Sequence, residues 1–145
     1  MQKQVREPLG LLIAAARRRI KQAVMARAAR LGFTSLQFWL LVGLHEGGSQ
    51  SLRELSTRCR IDDPTASRGV QTLVAAGLVA SRPDEHDRRR ARLVLSARGR
   101  TVAERCLEEA RVIRTLVERD LTPEESEITR TALHKVIAVM ERAWT

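Results

Sequence analysis

Apolar residues recur at three- and four-residue steps from Leu9 through Leu12, Ile13, Ala16, Ile20, Val24 and Ala28 to Leu31, the spacing that aligns one face of a helix with a core. Pro8 suits a first helical turn, where its missing N–H would have had no partner anyway, and Gly32 suits the end. Thr34-Ser35-Leu36-Gln37 then reads as a capping box, the hydroxyl accepting from a free backbone N–H while the glutamine reaches back. Leu40, Leu41 and Leu44 share the face that follows, and Gly47-Gly48 stops this second helix near Glu46. A second capping box, Ser51-Leu52-Arg53-Glu54, opens a short third helix with Leu52, Leu55 and Cys59 inward. After a turn at 60–62, Asp63 is the expected N-cap of a fourth helix and Pro64 its first residue. Its predicted buried stripe is Ala66, Val70, Leu73, Val74 and Gly77, leaving Thr65, Ser67, Arg68, Gln71 and Thr72 outward.

Residues 78–82 and 91–95 alternate in part and are joined by a polar loop, which predicts a two-stranded hairpin. Ser96 can cap a fifth helix with Val102, Ala103, Cys106, Ala110, Ile113 and Val117 on one face, ending near Asp120. Thr122-Pro123-Glu124-Glu125 starts a sixth, with Ile128, Ala132, Val136, Ile137, Met140 and Trp144 together. The expected fold is therefore mainly α with a small two-stranded β-wing. A short helix, a turn, a polar-faced helix and a hairpin make a winged helix-turn-helix, flanked here by long helices.

Charge adds a partner to this outline. The 145 residues carry a net charge of +9, the mark of a surface that favours a polyanion through counterion release. Basic residues outnumber acidic ones 8 to 2 in residues 1–50 and 11 to 6 in 51–100, whereas 101–145 has 7 against 9. The last third thus has no electrostatic reason to meet nucleic acid. The start, Lys3 and Arg6 before the apolar run 9–16, has the outline of a short leader, but that run is broken by Gly10 and passes into Arg17-Arg18-Arg19 with its helical spacing intact. It reads as helix. No stretch approaches the roughly 20 apolar residues of a membrane span. Two cysteines, Cys59 and Cys106, both on apolar stripes, fit small core residues in a reducing compartment, the cytoplasm.

The outward side chains of the fourth helix are those that base edges accept. Arg68 can donate bidentately to guanine, Gln71 can pair with adenine, and Thr65, Ser67 and Thr72 can bond bases or phosphates. Arg88, Arg89 and Arg90 at the hairpin tip suit a narrow A·T-rich minor groove, whose negative potential is enhanced. Asp87 before them can orient Arg89 through a charge-assisted bond to its guanidinium, or be an ordinary turn aspartate. His45, His86 and His134 lie far apart, and neither a phosphate-binding loop, a nucleophile elbow nor a metal-ligand spacing is present, so neither catalysis nor a cofactor is expected. A basic RNA- or ribosome-binding protein is the competing reading. An RNA reader would carry stacking aromatics on its basic face, whereas Phe33, Phe38, Trp39 and Trp144 all lie outside the fourth helix and the wing.

Three segments resemble the multiple antibiotic resistance regulator (MarR) family: Leu52-Arg53-Glu54-Leu55, Pro64 to Arg68 through Gly77-Leu78-Val79, and Asp84 to Arg90 through Leu95 to Gly99. The resemblance implies a homodimeric, cytoplasmic transcriptional regulator, a repressor of a pseudo-palindromic operator. Residues 1–32 and 97–145 would supply the dimerisation helices, and 33–96 the DNA-binding lobe. It also implies release of DNA by a small aromatic acid or phenol, for which Arg17 and Trp39 are the candidate contacts. His86 stands where many members have arginine. The first helix has no cysteine, which sets this chain apart from the hydroperoxide-sensing branch.

Overall fold

The computed structural model describes residues 6–144, so Lys3, part of the leader-like outline, lies outside it. The element order is α1 (Leu9–Arg30), α2 (Ser35–Gly47), α3 (Leu52–Cys59), α4 (Asp63–Ala75), β1 (Val79–Pro83), β2 (Ala91–Leu95), α5 (Ala97–Glu118) and α6 (Pro123–Ala143). All three reciprocal capping boxes form, at Thr34 and Gln37, Ser51 and Glu54, and Thr122 and Glu125. Pro8 sits at the N-cap of α1 rather than inside its first turn, and Gly32 takes φ +84 just beyond the end. α5 stops two residues before the expected Asp120.

The start of α4 departs from expectation. Asp62, not Asp63, is the N-cap, its Oδ1 accepting from the Thr65 N–H at 2.8 Å. Asp62 has the extended backbone that an N-cap requires (φ −73, ψ 155), while Asp63 is already helical and its carboxylate accepts from Ser56 Oγ of α3. The two adjacent carboxylates thus divide the work, one starting α4 and the other tying it to α3. The buried stripe is also rotated: Ala66, Gly69, Val70 and Leu73 are buried, and Val74, expected inward, is 42% exposed. Gly69 sets this rotation, since a Cβ there would stand 2.4 Å from Leu40 Cδ1, so α4 meets α2 where no side chain intervenes. Gly77 is exposed at φ +73 and makes the turn into β1 instead of filling core.

α2 is the centre of the lobe. Phe38 and residues 40–44 are all buried because α1, α3, α4 and β2 each pack against it. Val24 and Ala28 of α1 and Ala103, Cys106, Ala110 and Ile113 of α5 belong to the same hydrophobic cluster. The hairpin pairs Val79 with Leu95 through Pro83 with Ala91, one residue beyond the expected start. The sequence carries no sign of an isolated β-bridge at the base of the hairpin, where Gln50 N donates to Leu93 O at 3.2 Å and Leu93 N to Gln50 O at 2.7 Å. The Gln50 side chain is buried and donates to the carbonyls of Gly43 (3.0 Å) and Gly48 (3.1 Å), which holds this bridge at the base of the wing.

The chain divides into a compact unit ending at Ile113 and a second beginning at Arg114. In the second, Arg130 bridges Glu118 at 2.9 Å and Glu127 at 2.7 Å. No residue of α6 is buried, and Ile128, Leu133, Ile137, Val139 and Met140 are exposed. In α1 the expected inward residues Leu9, Leu12 and Ile20 are likewise exposed, as is Val117 of α5. No described helix is long and apolar enough to cross a membrane.

Candidate nucleic-acid interface

The polar face of α4 is arranged before any ligand arrives. Thr65 Oγ1 donates to Asp62 Oδ2 at 2.8 Å and accepts from Arg68 at 3.3 Å, so the N-cap indirectly steadies the Arg68 guanidinium. Most of the five donors of that guanidinium remain available. Gln71 is exposed and Ser67 half-buried, and neither side chain has a hydrogen-bonding partner among the described residues. Thr72 is different. Its hydroxyl donates to the Gly69 carbonyl at 2.7 Å and accepts from Gln37 Nε2 at 2.9 Å, so it fastens α4 to the cap of α2 with little capacity left for a base.

Asp62 accepts the backbone and side-chain hydrogen bonds of Thr65, which hold its carboxyl below the usual carboxylate range. A depressed folded-state pKa means that this contribution is present above the ordinary value near 3.8 and is lost as pH falls through the lower folded value. We therefore expect the first turn of α4 to loosen only below about pH 4, with faster exchange of the Thr65 amide in an NMR titration. An Asp62→Asn protein, which keeps the acceptor without the titration, should not show the acid limb.

At the wing, Asp84 organises the turn. Its Oδ1 accepts from the N–H groups of His86 (2.8 Å) and Asp87 (3.1 Å), bonds that hold its carboxyl below the usual range, with Arg92 adding to the effect. Asp87 does not hold the Arg89 guanidinium as expected. Its Oδ1 accepts from the Arg89 backbone N–H at 3.1 Å, and its Oδ2 lies 3.6 Å from Arg90 Nε. Two residues of separation in this turn bring the backbone amide of Arg89 to the carboxylate, while the next side chain curls back over it. Arg88 and Arg89 are exposed, with no ion pair among the described residues.

Asp87→Ala removes a negative charge from an arginine-rich loop, which favours binding of a polyanion, and also the bond that sets the Arg89 backbone. We expect the second effect to prevail and duplex affinity to fall by about three- to tenfold, the equivalent of one net hydrogen bond. Tighter binding in a fluorescence titration would show that the carboxylate acts only as a repulsive charge.

Four contributors escaped the sequence reading. Asp84 and Arg92 frame the wing, Gln37 reaches α4, and Arg98 donates to the carbonyl of Ala76 at 3.0 Å beyond the end of α4. Polar residues of this kind carry no periodic signal, and only the Asp-rich turn of the wing offered a hint. Of the candidate effector contacts, Arg17 is exposed on α1, and Trp39 is half-buried on α2, edge-on to Phe38 with ring centroids 5.1 Å apart. An open cleft of about 680 Å³ is lined instead by Arg53, Glu54, Thr57 and Arg58 of α3. Burial pushes the Cys59 and Cys106 thiols up to about 11, so both are protonated near neutrality and behave as core residues. No cluster of potential metal ligands occurs among the described residues.

The MarR family model matches residues 31–90, from the end of α1 through the wing tip. An uncharacterised HTH-type transcriptional regulator of Bacillus subtilis, YybA, is 26% identical over 114 residues, covering 79% of this chain and 76% of that protein. Among solved structures, BpsR of Bordetella bronchiseptica, whose DNA binding is regulated by 6-hydroxynicotinic acid, superposes with a TM-score of 0.78 at 26% identity, covering 92% of this chain and 95% of its own. A mutant MarR from E. coli, solved with operator DNA, shares the fold with a TM-score of 0.75 at 24% identity, over 89% of this chain and 93% of that one.

Proposed function

We propose that this chain is a winged helix-turn-helix transcriptional regulator of the MarR type, a reading supported by the family model over residues 31–90 and by the similarity to YybA and BpsR, and that it binds a pseudo-palindromic operator in double-stranded DNA as a homodimer, acting in the cytoplasm as a repressor. The family is one of regulators rather than enzymes. The observation that carries the reading is the pairing of an outward α4 face, with Arg68 and Gln71 available, and a wing tipped by exposed Arg88 and Arg89. One duplex can present a major groove to the first and a neighbouring minor groove to the second. Residues 33–96 form the reading lobe, and 1–32 with 97–145 the dimerisation helices. Leu9, Leu12 and Ile20 of α1 and Ile128, Ile137 and Met140 of α6 support that division, since solvent-exposed apolar stripes of this length call for a partner, most simply a second copy.

The test selects duplexes from a random pool and measures affinity against salt, with light scattering for mass. A dimer that prefers an inverted repeat supports the reading. A monomer, or equal binding to single-stranded RNA, would favour the alternative of a basic RNA- or ribosome-binding protein.

The effector is a planar aromatic acid or phenol, held near Arg17 and Trp39. Its support is the regulation of BpsR by an aromatic acid and the availability of a cation and an aromatic ring in this chain. Such a ligand must bind the DNA-incompetent state better, and reciprocity then requires operator to weaken its binding by the same factor. Calorimetry with salicylate and 6-hydroxynicotinate, with and without operator, should show matching factors. Binding that leaves operator affinity untouched would remove this pair from the model.

A further inference from the structure

Arg92 lies on β2, opposite Arg82 in the hairpin register, yet its guanidinium turns toward the helix-turn-helix. Its NH2 donates to the Ser49 carbonyl at 2.5 Å, its NH1 lies 3.4 Å from Glu54 Oε2, and its Nε lies 3.7 Å from Asp84 Oδ2. Both acidic partners already have a structural task. Glu54 accepts from the Ser51 N–H at 3.1 Å in the cap of α3. Asp84 accepts the two amides that shape the wing turn, and its own N–H donates to the Arg90 carbonyl at 2.9 Å. A continuous set of polar contacts therefore runs from the first turn of α3 through Arg92 to the loop carrying Arg88 and Arg89.

We infer that Arg92 is a positioning residue, a strut that sets the angle of the wing against the helix-turn-helix and so the register at which the tip arginines enter the minor groove. The inference rests on the DNA-binding reading above. Beyond the Gln50 to Leu93 bridge the wing is a lone two-stranded hairpin, a structure of marginal rigidity in water. A planar fork can satisfy three partners in different directions at once, which a lysine point charge cannot. Glu54 and Asp84 both offset the charge of Arg92, so it contributes little to the field that attracts phosphate. That separates it from Arg89, which faces solvent.

The test is a double-mutant cycle on the selected operator, with Arg92→Ala, Arg89→Ala and the pair, each measured across salt and on A·T-rich and G·C-rich flanks. Arg92→Ala should lower affinity by about tenfold and erase flank preference, yet cost only about twofold more when Arg89 is already alanine. Its salt slope should fall no further than that of Arg89→Ala, because Arg92→Ala loses the tip contact but Arg92 makes no phosphate contact of its own. Asp84→Asn should reproduce the loss of flank preference, and Arg92→Lys should recover only part of the affinity. If the alanine variant does not fold, Arg92→Lys carries the cycle. Additive losses, or a slope that falls by about one more per site in the double variant than in Arg89→Ala, would overturn the strut and make Arg92 an ordinary structural or phosphate-contacting residue. A wild-type chain without duplex preference would instead overturn the reading beneath it.

Discussion

Arg68→Ala is expected to weaken operator binding by about 1–3 kcal/mol per site and to relax the preference at one base pair in each half-site. Arg68 is exposed on α4, and its guanidinium is steadied from one side by Thr65, itself bonded to Asp62. The remaining donors keep the fork geometry that matches the O6 and N7 acceptors of guanine. Loss of a bidentate base contact should therefore appear as lost discrimination as well as lost affinity. The side chain makes no core contact, so folding stability should stay within about 0.5 kcal/mol of wild type. Competition titrations with each base substituted in turn would check this. A uniform loss across all sequences would assign Arg68 to the phosphate backbone instead.

Gly99→Ala should be the most damaging of the glycine-to-alanine changes. A Cβ at Gly99 would stand 1.9 Å from the Leu78 carbonyl oxygen and 3.2 Å from Ser96 Oγ. That carbonyl cannot step aside cheaply, since it accepts the Ser96 N–H at 2.9 Å, and Ser96 Oγ both bonds the Gly77 carbonyl at 2.7 Å and caps α5 through the Gly99 N–H at 3.0 Å. Overpacking against backbone together with a lost hydrogen bond should cost about 2–4 kcal/mol. The displaced junction also holds the exit of α4, so operator affinity should fall in the fraction that still folds. Gly10→Ala is the control: nothing lies within 4 Å of its Cβ site, and a helical alanine there should be neutral or stabilising by up to about 1 kcal/mol. Urea unfolding of both variants would check the contrast, and a small loss at Gly99 would mean that the start of α5 can shift away from Leu78.

All six helices and the hairpin were legible in the sequence because their signals are local. Caps such as Thr34 with Gln37 and Ser51 with Glu54 act within four residues, and helical and strand spacing needs only one element to be seen. The outward set Ser67, Arg68 and Gln71 followed from the same spacing. The one-residue displacement of the α4 cap to Asp62 did not, because two adjacent aspartates satisfy the same local rule, and only Ser56, on another helix, selects between them. Thr72 likewise read as an open contact until Gln37 was brought to it.

Composition and local spacing in this chain thus determined the element order, the polar face of α4 with its basic hairpin, and the acidic, apolar-striped last third, since each depends on free-energy differences between near neighbours. Tertiary structure alone decided where α4 rolls against α2 at Gly69, which carboxylate caps it, how Gln50 bridges to Leu93, and which of the wing arginines are spent inward at Arg92 and which stay exposed at Arg88 and Arg89. Those choices turn on contacts between residues distant in sequence, such as Leu40 with Gly69 and Glu54 with Arg92, and a side chain's identity does not reveal its partner until the backbone has brought the two within reach.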